Sequence, residues 1–157
     1  MQSQRQKPVH ASLQNKRTAW NLIGRQCDIL GLDAATGPQL LEHVLHGFPS
    51  AAVVRVADLG IGATELYPAL GSPAVIRRRL RARSLLSTAQ SDRLAGVAAV
   101  VALAEFVFGG LELSLDWLLR SSFSSTLPDP PIRLLSTGYG TDLVRERLWQ
   151  IRVDAGH

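Results

Sequence analysis

The side chains best suited to do chemistry are five arginines within the seven residues Arg77 to Arg83, in the segment Pro73-Ala-Val-Ile-Arg-Arg-Arg-Leu-Arg-Ala-Arg83. On a helix, Ile76 and Leu80 stand one turn apart and face a core, while Arg77 with Arg81, and Arg79 with Arg83, form i,i+4 pairs on the remaining surface. Like charges at this spacing repel, and an anionic partner would offset the repulsion. The segment follows a short apolar stretch, Thr64 to Leu70, and a glycine-containing turn. The two helices would then form a helix-turn-helix whose second member enters a DNA major groove. In that arrangement Arg77, Arg78, Arg79, Arg81 and Arg83 are the candidate DNA-binding residues, with phosphate contacts for affinity and an arginine on guanine O6 and N7 for sequence preference. The competing interpretation is a solvated face on a structural helix.

Other chemistries have less to work with. His43 and His46 are three residues apart, but only Glu42 is near enough in sequence to join them, short of the four ligands a structural zinc site takes. His10 lies in a basic leader and His157 ends the chain. Cys27 is the single cysteine, which removes disulfide scaffolds and zinc fingers and suits a reducing compartment. It has no histidine nearby in sequence to activate it as a nucleophile. Gly60-x-Gly62 lacks the third glycine and the preceding strand of a dinucleotide fingerprint, and no phosphate-binding loop is present. No enzyme activity, metal or cofactor is expected.

These residues sit in a chain of 157 residues with a formal charge of +4 and 46% hydrophobic side chains, enough for one compact domain or two small ones. The charge is uneven: residues 1–38 carry +3, residues 39–75 carry −2, residues 76–93 carry +5 and residues 94–157 carry −2. Such asymmetry favours two separate tasks. The most membrane-like stretch, Leu94 to Leu111, is only 18 residues long and contains Glu105, so it is expected to be a buried core helix. With no apolar region behind the basic leader, a soluble cytoplasmic protein is expected.

Helix signals recur along the whole chain. Beyond a short helix around Thr18 to Leu30, helices are predicted over Gln39–His46, Ser50–Asp58 with Ser50 as its cap, Ala63–Leu70, and Pro73 to about Arg83 with Ser72 as its cap. Ser87-Thr-Ala-Gln90 has the form of a capping box and opens a long apolar helix closed by Gly109-Gly110. Leu111–Leu119 follows, then an irregular connection from Arg120 to Pro131, then Thr141–Ile151, with Gly138 and Gly140 supplying positive φ in a turn ahead of it. No strand pattern or internal repeat is present. The expected fold is all-α, with a basic, partly disordered tail at 1–36, a helix-turn-helix domain at 37–85 and a second helical domain at 86–157.

The C-terminal part carries a more specific signal. The strings Leu86-Ser-Thr-Ala-Gln-Ser-Asp-Arg-Leu94, Ala104-Glu-Phe-Val-Phe-Gly109, Asp116-Trp-Leu118, Pro131-Ile-Arg-Leu-Leu-Ser-Thr-Gly-Tyr-Gly140 and Val144 to Ile151 occur in an order that resembles the Xre/MbcA/ParS type of antitoxin. The resemblance extends over roughly Gln39 to Gly156. It implies an Xre-like helix-turn-helix that binds operator DNA to autoregulate transcription, and a C-terminal domain that neutralises a cognate RES-domain toxin. The NAD chemistry would belong to that toxin. By position it implicates Trp117, Thr137, Gly138, Tyr139, Leu143, Arg147, Trp149 and Arg152 in toxin binding, within a homodimer or a higher toxin–antitoxin hetero-oligomer, with no membrane partner. Ser91-Asp92-Arg93 is expected to cap and charge a helix start, and Trp117 serves equally as a core anchor. Val144, Leu148 and Ile151 should pack inward while Arg145, Arg147 and Trp149 point elsewhere, so that Arg147, Arg152 or the terminal carboxylate could occlude the toxin's pocket. The alternative function is a free-standing helix-turn-helix regulator that uses its C-terminal domain only to dimerise.

Overall fold

A computed structural model describes residues 22–156, and among them every regular element is helical. Helix α1 (residues 22–30) is followed by α2 (Gly37–His46), α3 (Ala51–Asp58), α4 (Ala63–Leu70), α5 (Pro73–Ala82), α6 (Thr88–Phe108), α7 (Leu111–Arg120), a 3-10 helix (Pro131–Ser136) and α8 (Gly138–Ala155). The only extended pairing among these residues is an isolated antiparallel bridge between Pro49 and Leu85. No single helix in this range is long and apolar enough to cross a membrane.

The organising element is α6. Leu94, Val97, Ala98, Val100, Val101 and Ala104 are fully shielded from solvent along one side, and the buried Ala95, Ala102 and Leu103 extend the apolar surface around most of the remaining circumference. A helix this apolar must be enclosed. Helices α2, α4, α7, α8 and the 3-10 helix all pack against it. Its start is fixed by the expected capping box: the Gln90 N–H donates to Ser87 Oγ at 3.1 Å and the Ser87 N–H donates to Gln90 Oε1 at 2.9 Å. Its end is turned by Gly109 in the left-handed conformation, φ +83°.

Several boundaries differ from the sequence expectation, each for a physical reason. Helix α2 starts at Gly37 because Thr36 forms a capping box with Gln39, and Pro38 is tolerated in a first turn that needs no N–H from it. Ser50 and Ser72 occupy cap positions of α3 and α5 but make no capping hydrogen bond through their side chains. Helix α8 begins three residues early. Thr137 caps it by accepting the Gly140 N–H at 3.0 Å, and neither Gly138 nor Gly140 has positive φ. Gly140 is there because a Cβ would collide with the Leu134 carbonyl oxygen, at the end of the 3-10 helix on which α8 rests. The 3-10 helix itself, with Ile132 and Leu135 buried, starts at Pro131, the last residue of the stretch expected to be irregular, and was not anticipated.

Within the stretch expected as a tail, the short helix expected around Thr18 to Leu30 is described from residue 22 onward. Residues 22–30 are helical, and Cys27, Ile29 and Leu30 are buried in the same core as α6. Arg25 spans to α6 with a two-pronged ion pair, Nε and Nη2 each 2.8 Å from a Glu105 carboxylate oxygen, and the Gln26 amide donates to the Ala95 carbonyl at 2.8 Å. The hydrogen bond to Glu105 holds the Arg25 guanidinium above its ordinary pKa. Residues 1–21 and 157 lie outside the described chain. Buried side chains on both sides of residue 85, such as Phe48, Leu66, Leu94 and Leu148, belong to one continuous core.

Two consequences follow from this packing. Val100→Asp places a carboxylate in the fully enclosed wall of α6 and should cost about 4 kcal/mol, lowering Tm by roughly 8–16 °C in thermal unfolding. A melting temperature equal to the parent's would mean that this face of α6 is open to solvent. Burial, aided by the nearby Asp28 charge, pushes the Cys27 thiol above its usual pKa. Cys27 should therefore resist thiol reagents in native protein and react on unfolding; rapid labelling of the native protein at neutral pH would show that α1 is not seated.

Candidate functional site

The arginine helix α5 follows α4 after only two residues, Gly71 and Ser72. Ile76 is fully buried and Leu80 half-buried, which anchors one side of α5 and turns Ala74, Arg77, Arg78 and Arg81 to solvent. The five arginines are not equivalent. Arg77 lies over the Tyr67 ring of α4, its guanidinium carbon 5.8 Å from the ring centre. Arg78 and Arg81 stand three residues apart with no ion-pair partner among the described residues. Arg83 caps the helix in the left-handed conformation, φ 50°, with its side chain exposed. Arg79 departs from the sequence expectation, which placed it on the open surface. It is half-buried and its Nη1 donates to the Leu85 carbonyl at 2.7 Å.

The second candidate surface lies along α8. Val144 and Leu148 are fully buried and Ile151 half-buried, as their spacing predicts, and Arg145, Arg147 and Trp149 are exposed. Trp149 keeps 41% of its surface and packs its ring 6.0 Å from that of Phe106 on α6; the Arg152 guanidinium lies 4.7 Å from the same ring centre. The result is an exposed aromatic–cationic cluster. Large rings bury much surface for little ordering cost, a guanidinium over a ring gains cation–π attraction, and interface hot spots are enriched in Trp, Tyr and Arg.

The implicated residues do not form one patch. Asp142, Arg145, Trp149 and Arg152 recur at spacings of three, four and three along α8, which puts them on the side toward α6. There Arg145 and Asp142 help line a cleft of about 250 Å³ between α6 and α8, whose other walls include Arg93, Ala95, Gly96 and Gly138. Tyr139, Leu143 and Arg147 follow i,i+4 spacing on a different side, Tyr139 and Arg147 exposed and Leu143 half-buried. At about 1.5 Å per residue, Tyr139 and Trp149 are some 15 Å apart along the axis. Trp117 belongs to neither group: it is half-buried against Phe108, ring centres 5.6 Å apart, at the junction of α6 and α7. Thr137 is the α8 cap, and Gly138 is where a Cβ would press to 3.3 Å from an Arg93 nitrogen.

Phe106 and Arg93 were not singled out from the sequence. Phe106 follows Glu105 near the end of a largely buried helix, and nothing local marks it as more open than Phe108 two residues on. Ser91-Asp92-Arg93 neither caps nor charges the helix start as expected: α6 is capped by Ser87 and has no acidic residue in its first turn, and the Ser91 hydroxyl is buried and accepts the Phe48 N–H at 2.8 Å. His43 brings a ring nitrogen 3.3 Å from the Asp33 carbonyl oxygen, and no cluster of three potential metal ligands occurs among the described residues. His10 and His157 lie outside them.

Adjacent residues on α8 should separate core from surface. Leu148→Ala empties a fully enclosed site and should cost about 3 kcal/mol. Trp149→Ala should cost about 1 kcal/mol, because its ring is seated on one side only. Equal losses in chemical denaturation would mean that Trp149 is a core residue and that this face is not available to a partner.

The chain matches no protein-family model, and no curated protein matches it.

Proposed function

We propose that this protein is a non-enzymatic antitoxin of a two-protein toxin–antitoxin system. Helices α4 and α5 serve as an Xre-type helix-turn-helix that binds operator DNA and autoregulates transcription. The α6–α8 face binds a RES-domain toxin and blocks its NAD-consuming active site by occlusion. The observation that carries this is the exposed Trp149–Phe106–Arg152 cluster, beside the face of α8 on which Val144 and Leu148 are fully buried. A structural role alone gives no reason to leave these side chains open. The residue strings resembling the antitoxin family point to a toxin as the partner.

The DNA-binding half draws support from Arg78 and Arg81, which face solvent beside Ala74 near the start of α5, where a small side chain permits close approach to a duplex. Five basic side chains in one short helix supply the electrostatic footprint such binding needs, and the modest overall charge favours action as a dimer or within a toxin complex. The occluding element is the C-terminal part of α8, with Arg147 or Arg152 as the group that enters the toxin's pocket. Arg152 rests on Phe106 four residues beyond Leu148, the last fully buried side chain of α8.

Two experiments test the two halves. Replacing Arg78 and Arg81 together with alanine should weaken duplex binding and lower the slope of log affinity against log salt by about 1.8, two phosphate contacts' worth. Unchanged affinity in a gel-shift titration makes α5 a solvated structural helix. For neutralisation, the full chain and a chain lacking residues 152–157 are co-expressed with the product of the adjacent reading frame. The full chain should restore growth and stop NAD turnover, and the truncated chain should fold, bind DNA and fail to protect. Protection by the truncated chain excludes occlusion by the C-terminus. No protection by either, with DNA binding retained, leaves a free-standing regulator.

A further inference from the structure

We propose that Arg79 is a positioning residue for the arginine helix and not one of its nucleic-acid contacts: it is the strut that sets the angle of α5 against the rest of the protein. This rests on the DNA-binding role proposed for α5. Of the five arginines, Arg79 alone is recorded donating a hydrogen bond through its side chain, at 2.7 Å to the carbonyl of Leu85. Its Nε is fully shielded and has no partner, so neither solvent nor a phosphate reaches that nitrogen. The backbone grips the same segment in return, with the Ser84 N–H donating to the Arg79 carbonyl at 3.1 Å after the left-handed turn at Arg83.

What Arg79 holds is itself tied to the core. The Leu86 N–H donates to the Phe48 carbonyl at 2.8 Å, and the Phe48 N–H donates to the buried Ser91 hydroxyl of α6 at 2.8 Å. A continuous set of hydrogen bonds thus runs from the side chain of α5 through residues 84–86 and Phe48 to the central helix. Without it, α5 is held by Ile76 and Leu80 on one side, by its packing on α4, and by the two-residue turn before it. Apolar contacts of that kind are non-directional and leave the helix free to roll. A recognition helix that rolls presents Arg78 and Arg81 to the groove at varying angles and binds less tightly, although it has lost no phosphate contact.

Salt dependence distinguishes a strut from a contact. Binding of a mixed-sequence DNA duplex is measured across a range of salt concentrations for the full chain, for Arg79→Met, which keeps the aliphatic stem and so the fold, and for Arg81→Met. Amide exchange at Leu86 is followed in the same proteins without DNA. Arg79→Met should weaken binding about tenfold, the loss expected for a hydrogen bond from a charged donor, at the parent's salt slope, and should speed exchange at Leu86. Arg81→Met should lower the slope by about 0.9 and leave Leu86 unchanged. A fall of about 0.9 in the Arg79→Met slope, or parental affinity, overturns the proposal. If the full chain binds no duplex DNA, the DNA-binding role of α5 fails, and Leu86 exchange then decides the strut: faster exchange in Arg79→Met upholds it, and parental exchange overturns it.

Discussion

A helix with no polar side cannot stop at one neighbour. Because α6 presents apolar residues around most of its circumference, α2, α4, α7, α8 and the 3-10 helix must enclose it, and each layer's position follows from what it covers. Small residues let the neighbours come close. Gly96 leaves room for Thr141, where a Cβ would stand 3.4 Å from the Thr141 methyl, and the Ala95 carbonyl is reached by Gln26 of α1. The polar side chains that α6 does carry inside the bundle have assigned partners. Ser91 accepts the Phe48 N–H, Gln90 closes the capping box and Glu105 pairs with Arg25. A buried polar group left without such a partner costs about 1–3 kcal/mol, so these pairings decide which of several enclosing arrangements is adopted.

This core explains how one small protein can carry the two proposed binding faces. Helix α5 projects from α4, which itself packs on α6 and the 3-10 helix, while the Trp149 cluster is built from the far end of α6 and the last turns of α8. The sign of the charge separates the faces as well: six of the basic side chains fall in residues 76–93, and the segment from residue 94 onward is slightly acidic. The proposed antitoxin role would use this division, since a surface that attracts phosphate and a surface that fits another protein favour different compositions. The lack of a single continuous patch on α8 matters too. The side facing α6 offers a cleft and an aromatic cluster, the other side offers Tyr139 and Arg147, and a partner that covers both must wrap around the helix.

Features carried by neighbouring residues were legible in the sequence. The capping box Ser87–Gln90, the glycine stop at Gly109, the inward spacing of Val144, Leu148 and Ile151, and the all-helical fold are local signals, and the structure shows them. Features that depend on distant contacts were not. The start of α8 was hidden because Gly138 and Gly140 are poor helix formers in isolation; only the approach of Leu134 shows why glycine is required there. Helix α1 was weakly marked because much of its anchorage is Glu105, eighty residues away. The face of α8 was legible as a helix with an outward Trp149, but its partner Phe106 and the withdrawal of Arg79 to Leu85 are set by tertiary packing that no local pattern encodes.

If α6 is the shared wall of one core, the two faces cannot unfold separately. Native-state hydrogen exchange as a function of denaturant measures this directly by following the amides of Leu66 in α4 and Leu148 in α8, one on each side of α6. The account predicts that both open with the same free energy and the same denaturant dependence, merging into the global transition. Opening of Leu66 at lower free energy with a smaller denaturant dependence, while Leu148 stays protected, would contradict it and divide the protein into two independent units.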